Sequence, residues 1–141
     1  MLDDQQKPRI RALFDQAAAA WHAEITRLST RTGAPSLGAG AAVLRLVSPQ
    51  GTPQNQLSEQ LGLSKQAIQQ SLDQLERLAL IRREIDPADK RARRVHITAA
   101  GIAALAARDE AERTAERAAR DALGKKSFNR LRKALRKLSA V

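Results

Sequence analysis

The sequence predicts a mostly α-helical fold with one small β-hairpin, an α+β arrangement, and three observations carry that expectation. Apolar residues between Pro8 and Thr30 recur at helical spacing. Two short amphipathic segments meet at the tripeptide Gly62-Leu63-Ser64. Two short β-prone runs follow, separated by a polar turn. The 141 residues are enough for one domain with a real core.

From Pro8 to Thr30, Ile10, Leu13, Phe14, Ala17, Trp21, Ile25 and Leu28 follow one another at intervals of three and four, as one stripe of a long amphipathic helix requires. Gly33, Pro35 and Gly38 break it, and Ala41, Val43, Leu44 and Val47 mark a second, short helix. After the turn Ser48-Pro49-Gln50-Gly51, Thr52 is placed to cap a third helix with Pro53 at its first position, where a missing N–H costs nothing. Gly62 ends that helix and Ser64 caps a fourth, which runs to about Leu78. Two helices joined by so tight a turn form a helix-turn-helix.

Leu80 to Ile85 and Arg94 to Thr98 read as strands, with Asp86 to Arg91 as the polar turn of a basic hairpin, a wing. Beyond Gly101 the chain turns helical again, packing through Ile102, Leu105, Ala111, Ala115, Ala118 and Ala122. A last helix carries Phe128, Leu131, Leu135 and Leu138 on one face.

Composition limits the chemistry. With no cysteine, disulfides, thiolate metal sites and thiol nucleophiles are excluded. Two isolated histidines, and no glycine-rich phosphate loop or recognisable carboxylate pair, argue against an enzyme, a metal or a cofactor. The 25 Lys and Arg against 15 Asp and Glu, a formal +10, attract a polyanion. Only Phe14, Trp21 and Phe128 are aromatic, so stacking on single strands is disfavoured and duplex DNA is the better polyanion. No run nears the roughly 18 apolar residues of a membrane span, so a cytoplasmic protein, nucleoid-associated when on DNA, is expected.

In the fourth helix Ile68, Leu72 and Leu75 must face inward, which leaves Lys65, Gln66, Gln69, Gln70 and Asp73 outward. A glutamine amide can bond an adenine edge in a bidentate way, and Ser64 and Lys65 at the helix start suit a phosphate or a guanine. Taken alone, such a row is also an ordinary helix surface. The wing tips the balance: Arg82, Arg83, Lys90, Arg91, Arg93 and Arg94 crowd one hairpin, and an arginine at its tip suits a narrow minor groove. His96 alternates with Val95 and Ile97, which predicts an exposed strand residue.

These residues resemble the MarR family of winged-helix regulators. The resemblance rests on LSEQLGLSKQAIQQSLDQLERLALI, on the pair Asp89 and Arg91, and on the closing VHITAAG; it spans residues 37 to 101, and the flanking helices agree in arrangement only. It implies a sequence-specific duplex-DNA-binding transcriptional repressor that meets a palindromic operator as a homodimer. It also implies that the fourth helix enters the major groove through Ser64, Lys65, Gln66, Gln69 and Gln70, and that Lys90, Arg91 and Arg93 of the wing lie on DNA, with Arg91 in the minor groove. Asp89 would orient Arg91 through a salt bridge. On this view residues 1–36 and 102–141 serve dimerisation and 37–101 bind DNA within one domain. The seam would be formed by Leu2, Ile10, Leu13 and Phe14 at the front and Phe128, Leu131, Leu135 and Leu138 at the back. A small aromatic or phenolic effector is a further implied partner, with Trp21, His22 and Arg45 as the residues to inspect, although each also reads as core or solvated surface.

Two positions depart from the family pattern. Ala79 stands where glycine is usual and predicts a somewhat different helix end. The last helix is unusually basic, through Lys125, Lys126, Arg130, Arg132, Lys133, Arg136 and Lys137, which form either a solvated face or a contact with flanking DNA or a partner subunit. The competing readings are a non-specific architectural DNA-binding protein, for which charge alone suffices, and a membrane-surface helix protein, which the hairpin disfavours.

Overall fold

The computed structural model describes residues 7–140; Leu2 lies outside them. Six helices and three strands follow in the order α1 (Ile10–Thr30), α2 (Gly40–Leu46), β1 (Thr52–Pro53), α3 (Gln54–Leu61), α4 (Lys65–Arg77), β2 (Ile81–Asp86), β3 (Asp89–Ile97), α5 (Ala99–Leu123) and α6 (Lys125–Ser139). The mostly helical fold with a small antiparallel sheet is the one expected.

The turn between α3 and α4 forms for the local reasons read from the sequence. Gly62 adopts φ +62°, the left-handed cap that a side chain resists. Two residues on, the Ser64 hydroxyl accepts from the Ala67 N–H at 3.1 Å and so caps α4. Ile68, Leu72 and Leu75 turn inward and are almost fully buried beside Leu44, Leu57, Leu80 and Val95. At about 1.5–3 kcal/mol for each such side chain, this cluster holds α2, α3, α4 and the sheet together within a single chain. A smaller cluster, Ile25, Ala111 and Ala115 with Trp21 and Leu28 against it, joins α1 to α5.

Three local expectations are corrected. Thr52 does not cap α3: with Pro53 it forms a third strand, Thr52 pairing with Val95 and Pro53 with Arg94, and the sheet order is β1-β3-β2. The Thr52 hydroxyl instead accepts from the Ser48 N–H at 2.9 Å, closing the preceding turn. The wing turn is shorter than the polar run suggested, because Asp86 already pairs with Asp89. Ile85 pairs with Arg93, so Lys90, Arg91 and Ala92 stand out of register as a bulge near the tip. In α5, Ile102, Ala118 and Ala122 are exposed, and Gly101, Ala104 and Arg108 are buried in their stead.

The end of α4 is the common helix end, not a variant of it. The Leu80 N–H donates to the Leu75 carbonyl at 2.9 Å and the Ala79 N–H to that of Glu76 at 2.9 Å, a Schellman pair that places Ala79 at φ 57°. Among the described residues no other non-glycine has positive φ. Thr98 then ties three elements together: its hydroxyl donates to the Ala79 carbonyl at 2.6 Å and accepts from the Gly101 N–H at 3.1 Å, while its own N–H donates to Leu80 at 3.0 Å. Gly101 sits so close to the Leu80 carbonyl that a Cβ would lie 2.1 Å from the oxygen.

Two substitutions at this junction should act in opposite directions. Ala79→Gly relieves left-handed strain and is expected to stabilise the protein by about 1 kcal/mol, read as a higher urea midpoint at unchanged slope. Gly101→Ala must displace backbone and is expected to cost about 2 kcal/mol by the same assay.

Candidate nucleic-acid interface

The outward face of α4, the start of α3 and the bulged end of β3 enclose an open groove of about 890 Å³. Gln54, Asn55 and Ser58 contribute from α3, Lys65, Gln66 and Gln69 from α4, and Arg91 and Arg93 from β3. Five of the eight expected DNA contacts thus lie along one groove. Gln70 lines a neighbouring cleft with Asp73, Glu76, Arg77 and Arg83, Lys90 is exposed at the tip, and Ser64 has its hydroxyl committed to capping.

The wing's cations divide sharply by what they touch. Arg83 is only 15% exposed at its side chain and is gripped from α4, Nη2 donating to Asp73 Oδ1 at 2.7 Å and Nε to Glu76 Oε2. Burial works to lower its pKa, but the hydrogen bonds it donates to Asp73 and Glu76 outweigh that and raise it, so the guanidinium stays charged. Arg82 pairs with Glu84 at 2.8 Å, and Arg94 donates to the Gly51 carbonyl at 2.9 Å. The Arg82 hydrogen bond is the main reason the Glu84 carboxyl titrates below its ordinary range. Lys90, Arg91 and Arg93 have no acidic partner among the described residues. Three of six wing cations therefore belong to the fold, and three remain for a ligand.

The ion pair expected between Asp89 and Arg91 is not made. Asp89 Oδ1 accepts from the Arg91 backbone N–H at 3.0 Å, an Asx-type contact that braces the bulge and leaves the guanidinium unpaired. His96 is also less exposed than its alternation suggests. Its side chain is 15% exposed and lies against Gly51, with Nε2 at 2.7 Å from Glu84 Oε1.

Gln69 is held on both sides. Its Oε1 accepts from Gln54 Nε2 at 2.6 Å and its Nε2 donates to Asp73 Oδ1 at 2.9 Å, so a chain runs from Gln54 through Gln69 and Asp73 to Arg83. Lys65, Gln66 and Gln70 are left with free polar groups on the helix surface. Sequence reasoning missed Gln54 and the bracing role of Arg83, because both depend on partners 10 to 15 positions away.

The residues considered for an effector take different places in the fold. Arg45 donates to Asp109 at 2.6 Å and to Glu112 at 3.2 Å, tying α2 to α5; the Asp109 hydrogen bond is the leading cause of its raised pKa. Trp21 packs on the α1–α5 cluster and His22 is exposed. None of the three lines any of the principal clefts. Among the described residues no helix is long and apolar enough to cross a membrane.

Comparison with known proteins decides the family. The model of the MarR family matches residues 40–92. The transcriptional regulator HosA of Escherichia coli O111:H- is 37% identical over 100 residues, covering 70% of this chain and 68% of that protein. The chain belongs to the MarR family. A crystal structure of a probable transcriptional regulator from Pseudomonas aeruginosa shares 28% identity and superposes with a TM-score of 0.71, covering 92% of this chain and 96% of that one. The transcriptional repressor CouR, solved with a 23-mer DNA duplex, is 22% identical and has the same fold, with a TM-score of 0.75 over 93% of this chain and 92% of its own. This MarR-family protein is accordingly a DNA-binding transcriptional regulator of the winged-helix type, not an enzyme.

Arg83→Met should separate the wing from α4. Because Asp73 and Glu76 are nearly half exposed, the expected loss is about 1–2 kcal/mol, below the range for a fully buried pair. Urea unfolding checks the stability, and a duplex titration should show weaker binding.

Proposed function

We propose that the protein is a homodimeric repressor that binds an inverted-repeat operator through two copies of α4 and the wing. The observation that carries this reading is the groove between α4 and β3, with Lys65 and Gln66 on one wall and the unpaired guanidinium groups of Arg91 and Arg93 on the other. With α4 in the major groove, the phosphate strand passes along the cleft and the wing reaches the adjoining minor groove, whose narrow stretches attract arginine. Gln66 and Gln70 are the amides free to meet base edges. Gln69, already held by Gln54 and Asp73, sets the face rather than reading from it.

The homodimer is supported by what α1 and α6 leave uncovered. Every residue from Ile10 to Ala20 is exposed, including Ile10 at 67%, Leu13 and Phe14. Leu131, Leu135 and Leu138 of α6 are exposed as well. A helix whose first half is exposed throughout is marginal in water, and stripes like these are normally covered by a partner. Phe128 is the exception among the expected seam residues: at 8% exposure, with Arg132 stacked 5.1 Å from its ring centroid, it closes the corner between α5 and α6 within the monomer. On this proposal residues 1–36 and 102–141 provide the dimer seam and 37–101 the DNA-binding lobe.

Selection of bound sequences from random duplexes at near-physiological salt should return an inverted repeat with half-sites about one helical turn apart. Tight, salt-sensitive binding with no motif would favour the architectural alternative. Arg91→Ala should weaken operator binding by about 1–3 kcal/mol with dimerisation unchanged; an unaltered affinity removes Arg91 from the interface. Leu131→Asp with Leu135→Asp should shift the sedimentation profile to monomer.

A further inference from the structure

Apart from Arg132, the cations of α6 serve neither the groove of α4 and the wing nor the ion pairs of the described residues. Seven of the chain's 25 Lys and Arg, and none of its 15 Asp and Glu, fall within Lys125–Ser139, so this helix holds most of the net charge of +10. At about 100° per residue, Phe128, Leu131, Leu135 and Leu138 project to one side and the cations fill the opposite arc. Covering the apolar stripe with a second copy would leave that arc open.

Among the described residues a single carboxylate compensates the arc. Arg132 alone is paired, with Glu116 at 3.1 Å; Lys125, Lys126, Arg130, Lys133, Arg136 and Lys137 have no acidic partner among the described residues. Several of them repel one another at helical spacings of three and four, as Lys126 with Arg130 and Lys133 with Lys137 do. Lys125 and Lys126 also sit in the first turn, where the helix dipole disfavours cations. Helix stability does not explain such an arrangement. A regular row of external anions does, and duplex DNA offers one phosphate charge per about 1.7 Å of axis.

The position of the face separates it from α4 and the wing. α5 starts beside the wing root and is about 37 Å long. α6 attaches at its far end through Gly124, and the Arg132–Glu116 contact lies about 25 Å from the start of α5.

We propose that this face of α6 is a second, sequence-independent duplex-DNA site, through which the protein holds another DNA segment while α4 and the wing hold the operator. The proposal rests on the operator reading above only for the identity of that first segment.

The test uses the full chain and a variant carrying Lys126→Gln, Arg130→Gln, Lys133→Gln and Lys137→Gln. The probes are a random-sequence duplex and an immobilised operator duplex that captures a second, labelled duplex. The wild-type protein should capture the second duplex and the variant should not. The salt dependence of binding to random duplex should be shallower in the variant by about 3.6 in log–log slope, as expected for the loss of about four phosphate contacts. The selected operator motif and the sedimentation coefficient should not change. Equal capture and slope would overturn the proposal. So would loss of the dimer in the variant, which assigns the cations to a second copy, and so would preferential binding of the wild-type protein to phosphatidylglycerol vesicles with no second-duplex capture. If the fourfold variant does not fold, Lys133→Gln with Lys137→Gln should give about half the change in slope. Arg91→Ala, which should lower the amount of protein held on the operator but not the amount of second duplex captured per protein bound, separates failure of this proposal from failure of the operator reading.

Discussion

The hydroxyl of Thr98 is the point on which the rest of the architecture turns. By donating to Ala79 and accepting from Gly101 it joins the end of α4, the root of the wing and the start of α5. The Leu80 carbonyl, approached so closely by Gly101 that no side chain fits, removes any remaining freedom at the same place. α4 and the long helix α5 are therefore set at one angle to each other by three hydrogen bonds and one missing Cβ. Holding Ala79 in the left-handed region costs about 1–2 kcal/mol, offset by the hydrogen bonds made there.

Charge on the surface of α4 and the wing is organised by subtraction. The wing brings six cations to one hairpin, and acidic or carbonyl groups from α4, β2 and the turn before β1 consume Arg83, Arg82 and Arg94. What remains free, Lys90, Arg91 and Arg93, sits on the bulge and beside it, where the strand has left its register. An arginine braced by two carboxylates gives the surface its shape, while an arginine with none keeps its charge uncompensated. Residue type alone does not distinguish the two.

The two apolar clusters explain why the chain has a finished half and an unfinished half. Leu44, Leu57, Ile68, Leu72, Leu80 and Val95 close the lobe that carries the groove without help from outside. The α1–α5 cluster is small, and the first half of α1 and the apolar stripe of α6 extend beyond it into solvent. That difference in burial, more than any single residue, argues for a second copy.

The helix-turn-helix and the inward set Ile68, Leu72 and Leu75 were legible in the amino-acid sequence alone, because a 3.6-residue period, a left-handed glycine and a serine cap act within a few residues of one another. The wing, as two β-prone runs around a polar turn, was legible for the same reason. Only the tertiary structure decided that Thr52 joins the sheet, that Arg83 braces and Arg91 does not, that Gln69 is held by Gln54, and that Phe128 is closed within the monomer. Each of these outcomes depends on a partner distant in the chain or on a neighbouring helix, and on whether that partner removes a group from water. Local spacing carries no record of such partners; the packed fold supplies them.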